Sequence, residues 1–363
     1  MKACSYCGRD NADDSTACLE CGTDFPKSKP AGPPPEEINL AVTPVPLTDL
    51  SNLDLGFETV EGFSRPNWTM VLEFIKGNVP KMDLSAAWDF VVVKWLEQLA
   101  ADLGGRARVC QSDHFYCLSD LESGATRPIL AYAEFVVETI CSYLRKAAWS
   151  GYYGKHVLLL FSDPDDYFAY ISYYHRDGKH ILSSGVFIRK GYAHISLPYI
   201  NSWSAQHVLV HELAHNLLCH LPIPLWLNEG LAVVIEGQVV RRGLSMNGEL
   251  ADRHRSHWNE TSIQGFWAGT TFDMPGNDSE LSYSLAEVLV SLLSEKGGAF
   301  DEFIKAADWR DAGQDAAINI LGQGLEEVAG GFLGPGHWRP QRKAIKENLK
   351  ACEPAPQPIP PRP

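Results

Sequence analysis

Apolar and polar positions recur with a helical period over much of this chain. Between residues 204 and 221, Val208, Leu209, Leu213, Ala214, Leu217 and Leu218 fall at three- and four-residue steps. That pattern predicts a helix with one buried face. Ser202 or Ser204 is expected to cap its start, and Pro222 and Pro224 to end it. The two prolines reverse the chain. A second helix, antiparallel to the first, is expected to start within Trp226–Ala232 and to continue to Glu236.

Other segments carry weaker versions of the same signal. Residues 67–104 read as two helical pieces broken near Pro80, with Trp88, Val91, Val92, Trp95, Leu96, Leu99 and Leu103 as a core stripe. A strand candidate follows over 106–118. A helix is expected over 128–148, with Ile129, Tyr132, Phe135, Val136, Ile140 and Leu144 facing inward. His156 to Phe161 is an apolar strand, and Asp163-Pro164 opens a helix rich in Tyr and Phe. The acids at 163–166 belong to that helix start; their spacing fits no calcium loop. Gly185–Arg189 and Tyr192–Leu197 predict a hairpin across Lys190-Gly191. Residues 241–280, which include Arg241, Arg242, His254 and His257, read as a lid or specificity insert. A helix over 281–295 is expected to turn Leu285, Val288, Leu289, Leu292 and Leu293 inward, and two short helices to lie within 299–334. Residues 51–66 are ambiguous.

The helix over 204–221 carries His211-Glu212-Leu213-Ala214-His215. Residues four apart share a helix face, so His211 and His215 can offer two imidazoles to one zinc ion. Glu212, beside the first, can hold the metal-bound water. A catalytic zinc usually keeps three protein ligands and one open position. Glu229 is the expected third ligand, because the reversed second helix would bring its first turn back towards the metal. His220 is a rival, but it lies five residues after His215 and turns off the shared face. It reads as a helix-end histidine, favourable beside the C-terminal dipole. Glu236, seven residues after Glu229, shares its face and reads either as support for the site or as a solvated acid.

The pair HELAH … WLNEGLA resembles the gluzincin metallopeptidases, and most of all the bacterial peptidase MA-like group. The likeness spans about 110–335 and is specific at 211–215 and 226–232. It implies an α+β, zincin-like domain with a small mixed sheet and an HExxH active-site helix. It implies zinc on His211, His215 and Glu229, Glu212 as general base, and peptide-bond hydrolysis. It also makes 185–197 the substrate-binding edge and Tyr283 the residue that stabilises the oxyanion, with His254 and His257 behind it. An ordinary core tyrosine stays open as a reading of Tyr283. One position departs from the family. Thermolysin-type relatives carry an Asp four residues after the third ligand to orient the first histidine, and here that position is Val233. No segment like the exopeptidase G-A-M-E-N is present, which leans the reading towards an endopeptidase.

Composition bounds the rest. The 363 residues are 45% apolar and 21% charged, enough for a real core. The net charge of −14 argues against a nucleic-acid surface. No stretch is apolar for long enough to span a bilayer. The nine cysteines include two matched pairs, Cys4/Cys7 and Cys18/Cys21, each a C-x-x-C-G knuckle. Four thiolates close a structural zinc site, so residues 1–25 read as a zinc ribbon folded by its metal. Two basic side chains against five acidic ones make that ribbon a protein-docking or purely structural module. With no signal-peptide pattern, the reduced thiols point to a cytoplasmic protein. Residues 26–50 read as a proline-rich linker, 51–340 as the peptidase domain with a helical part over 51–105, and 341–363 as an extension with a disordered proline tail.

The expectation is therefore a zinc metallopeptidase with one catalytic and one structural zinc, acting on a peptide or protein. It has two rivals. One is an inactive zincin-like scaffold that holds peptides and uses its ribbon for protein interaction. The other is a peptidase that works only when the ribbon recruits a partner.

Overall fold

The computed structural model describes residues 2–3, 10–12, 50, 52–145, 147–148, 154–174, 184–240 and 248–350. Cys4, Cys7, Cys18 and Cys21, the linker up to residue 49, Arg241 and Arg242, and the tail from residue 351 lie outside the described residues. At the start of the chain β1 (Lys2–Ala3) pairs antiparallel with β2 (Asp10–Asn11).

The ambiguous stretch before residue 67 contains a hairpin, β3 (Glu58–Val60) with β4 (Phe63–Arg65). Two helices then form with a break at Pro80, as the pattern predicts: α1 (Trp68–Asn78) and α2 (Leu84–Asp102). Asn67 caps the first by accepting a bond from the Met70 amide at 3.2 Å. The expected strand over 106–118 is instead a hairpin. The polar triplet Ser112-Asp113-His114 turns the chain between β5 (Arg108–Gln111) and β6 (Phe115–Ser119). Next, α3 (Ser123–Leu144) starts before Pro128 and carries it inside. Its buried line is Ile129, Leu130, Ala133, Val136, Val137, Ile140 and Leu144. Phe135, expected inward, falls beside that line and is exposed.

β7 (His156–Phe161) is buried throughout and leads into α4 (Pro164–Ser172). Asp163 caps that helix by accepting from the Asp165 amide at 2.9 Å, which accounts for the acidic run there. The predicted hairpin forms from β8 (Val186–Ile188) and β9 (His194–Pro198). Gly191, in its turn, has φ +80°, and a side chain there would run into the Trp68 ring.

Five strands make one mixed sheet in the order β5-β6-β7-β9-β8. β6, β7 and β9 run parallel, and the outer two strands run antiparallel to their neighbours. Alternation along the strands splits the core in two. Phe115, Cys117, Leu158, Leu160, Ile195 and Leu197 share one core, with α3 and the helices after β9. Tyr116, Leu118, Val157, Leu159 and Phe161 belong to the other, with α1, α2 and α4. Covering both faces explains why β7 reads as an unbroken apolar run.

The motif helix is α5 (Ser202–Leu218), and α6 (Leu225–Val239) follows the proline turn. The cap of α5 is Asn201 and neither expected serine; its side chain accepts from the Ser204 amide at 2.9 Å. α7 (Gly248–His257), α8 (Ser262–Ala268) and α9 (Asn277–Ser294) come next. Within the segment read as a lid, the part over 263–272 packs into the core. Ile263, Phe266, Trp267 and Phe272 are buried, and Trp267 packs edge-on to Trp226 at 5.6 Å. On α9, Leu292 is exposed and the other four predicted leucines and valines are inside. The chain closes with α10 (Gly298–Ala306), α11 (Gln314–Ala316), α12 (Leu325–Leu333) and α13 (Arg342–Lys350). α13 packs on α8 and buries Ile345. Among the described residues no helix is long and apolar enough to cross a membrane.

Candidate metal centre

α5 lies on the sheet face lined by Ile195 and Leu197, buried through Leu209, Leu213 and Leu217. Its histidines then have to emerge on the flank that meets α6. Contacts between the two helices run in opposite senses, His215 to Glu229 and His207 to Glu236, so the helices are antiparallel as predicted. Gly230, beside Glu229, makes the depth of this contact possible. A Cβ there would stand 2.6 Å from the Ala286 carbonyl oxygen and 2.7 Å from Val290 Cγ2 on α9. Glycine therefore lets α6 seat against α9 and fixes where the Glu229 carboxylate points.

His211, His215 and Glu229 come together as a group able to hold a metal ion, with one donor atom from each within 4.8 Å of the others. Glu229 Oε2 lies 3.4 Å from Nε2 of His211 and 3.4 Å from Nε2 of His215. The three side chains are 20%, 11% and 12% exposed. Glu229 Oε2 has no hydrogen-bond partner among the described residues, although it is buried. A zinc ion bonded at roughly 2.0–2.1 Å to tetrahedral ligands sets them about 3.4 Å apart. Two imidazole nitrogens and one carboxylate oxygen are also a donor set that zinc accepts. The residues therefore fit the metal that the sequence pattern implies. His220 is outside the group.

Electrostatics say the same thing. Burial works against a charge on His211, but the carboxylates of Glu229, Glu236 and Glu212 win and push its pKa up to about 10. Burial likewise opposes a charge on His215, and Glu229 outweighs it and raises that pKa. Burial would raise the Glu229 carboxyl, yet the imidazoles of His215 and His211 hold it well below the usual carboxylate range. The Glu229 carboxylate thus favours positive charge on the two imidazoles that face it.

No protein-family model matches the chain, and no curated protein matches it significantly. The likeness to a zincin motif rests on the His-x3-His helix, the downstream Glu and the mixed sheet beside them.

Around the group, Glu212 Oε2 accepts a hydrogen bond from the Phe187 amide at 2.7 Å. Phe187 is the middle residue of β8, the sheet edge. Tyr283 stands on α9, half-buried, its ring edge-on to Phe272 at 5.1 Å. Burial pushes its phenol pKa up, and the charges of Glu229, Asp273 and Glu212 push it further. His254 and His257 are used elsewhere. His254 is buried and bonded to Ser284 Oγ at 3.0 Å and Trp258 Nε1 at 3.1 Å; His257 pairs with Asp278 at 3.2 Å. The sequence reading missed His207. Its Nδ1 lies 3.1 Å from Glu236 Oε1, and Glu236 Oε2 lies 3.6 Å from His211 Nδ1. The available signal was its place one turn before His211, on the same face.

Proposed function

We propose that this protein is a zinc-dependent peptidase of the gluzincin kind that hydrolyses peptide bonds. The observation that carries the reading is Glu229 Oε2 at 3.4 Å from both motif imidazoles, on a helix that arrives from the far side of the proline turn. His211, His215 and Glu229 would hold the zinc, which would supply a water of lowered pKa and a Lewis acid for the substrate carbonyl. Glu212 is the base that takes the proton and passes it to the leaving amine. Its bond from Phe187 leaves the second carboxylate oxygen for that task. Tyr283 is kept protonated by burial and by its acidic neighbours, so it is suited to donate to the charge that develops on the carbonyl oxygen. Among the described residues β8 is the last strand of the sheet and lies beside Glu212, and an extended peptide can add to such an edge. Cys4, Cys7, Cys18 and Cys21 would hold the second, structural zinc, on a ribbon whose acidic surface suits a protein partner.

Incubation of the full chain with a mixture of unfolded peptides, read by mass spectrometry, tests this. The wild type should cleave, a chelator should stop it, and Glu212→Gln should keep its zinc and lose cleavage. Cleavage by Glu212→Gln at the wild-type rate would remove Glu212 as the base. Zinc at His211 and His215 without any cleavage would favour the peptide-holding scaffold.

A further inference from the structure

The peptidase reading asks what holds His211 in place. A histidine that ligates a metal through one ring nitrogen almost always donates the other N–H to a carboxylate, a backbone carbonyl or water, and this fixes its tautomer and orientation. Val233, one turn after Glu229, is aliphatic and cannot serve. His211 presents Nε2 to Glu229, which leaves Nδ1 on the opposite side of the ring. That nitrogen faces Glu236 Oε2 at 3.6 Å. The other Glu236 oxygen is 3.1 Å from His207 Nδ1.

We infer that Glu236 is a positioning residue that orients His211 for the metal, and that His207 in turn holds Glu236. The inference rests on the reading of His211 as a zinc ligand. Its geometry follows from the helix pair. Two histidines four residues apart on α5 project towards α6 one above the other. Glu229 and Glu236, seven residues apart, project from one face of the antiparallel partner. One carboxylate is thus set against the metal side of His211 and the other against its back. His207 and Glu236 are only 20% and 16% exposed, so water screens this chain weakly. The arrangement is not a general feature of the cluster. His215 Nδ1 is buried with no hydrogen-bond partner among the described residues. Among the described residues, His211 is the motif histidine with a carboxylate behind it.

A plain helix-to-helix ion pair between His207 and Glu236 would stabilise the fold and leave metal affinity alone, which separates the two roles. The experiment is zinc titration of the full chain against a competing chelator. The His211→Ala/His215→Ala chain is the blank that retains every other site. Metal-free melting is recorded for each variant. Glu236→Ala should weaken the wild-type-minus-blank affinity by about 10–100-fold. If melting falls as well, Glu236→Gln decides, because it keeps the shape and one acceptor but loses the charge. Weakened affinity with wild-type melting in that variant supports the role, and unchanged affinity overturns it. Unchanged affinity in Glu236→Ala overturns the inference and leaves the peptidase reading standing. A wild type indistinguishable from the blank overturns that reading, and the inference with it.

Discussion

The carboxylate of Glu212 accepts the Phe187 amide at 2.7 Å, tying the motif helix to the middle of the edge strand. The bond joins residues 25 apart and fixes one oxygen of the proposed base. Glutamine at 212 keeps an oxygen that can accept the same bond. Glu212→Gln should therefore melt like the wild type and lose cleavage by at least about 10²-fold. Glu212→Ala should also leave the amide without its partner and lower stability by about 1–3 kcal/mol, read by denaturant unfolding. Equal stability of the two variants would mean that the bond contributes nothing.

Gly230 sets how closely α6 approaches α9. A methyl group there meets a backbone oxygen at 2.6 Å, and backbone yields less readily than a side chain tip. Gly230→Ala should destabilise the protein by about 1–3 kcal/mol through overpacking. It should also weaken zinc binding, because the neighbouring Glu229 moves with the helix. A variant with wild-type stability and affinity would show that the helices part without strain.

Metal should stabilise the fold through the motif. Zinc at a hundredfold over its dissociation constant adds about 2.7 kcal/mol when it binds only the native state. The upward shift in melting midpoint should be larger for the wild type than for Glu229→Ala. Identical shifts would place all of the metal stabilisation elsewhere in the chain.

Buried histidines make the fold sensitive to acid, His156 and His194 among them. Burial lowers the pKa of His156 to about 4, and burial does the same for His194. The partners of His194 explain its neutral state. Its Nδ1–H donates to the Tyr192 carbonyl at 2.7 Å, and its Nε2 accepts from the Tyr170 hydroxyl at 2.8 Å. In the unfolded chain both titrate near 6.5, so between about pH 6.5 and 4 the unfolded state binds more protons. Stability is then fully present above about pH 6.5 and falls as pH drops towards 4. The slope approaches about 1.4 kcal/mol per pH unit for each histidine. Denaturant midpoints measured across that window check this; a flat profile would show that neither imidazole is held neutral.

The elements were largely legible because each is encoded locally. Pro80 broke the first helical stretch where expected, and Lys190-Gly191 turned the hairpin that supplies the sheet edge. Errors fell where periodicity gives the direction of a buried stripe but not its width. Phe135 and Leu292 sit at such margins and are exposed. The hairpin inside 106–118 was hidden because three polar residues suffice to turn it. The supposed lid over 241–280 has helices too short to show a period, and its aromatics are buried by contacts with distant residues such as Trp226 and Trp338.

His211, Glu212 and His215 share one helix, so their spacing alone sets two imidazoles on one face and a carboxylate beside them. That much the sequence determined by itself. The 3.4 Å approach of Glu229, the tether from Phe187 and the placement of Glu236 between His207 and His211 belong to the tertiary structure. Each depends on how α5 crosses α6 and how β8 borders them. Such geometry comes from packing between segments far apart in the chain, and no local pattern of residues carries it.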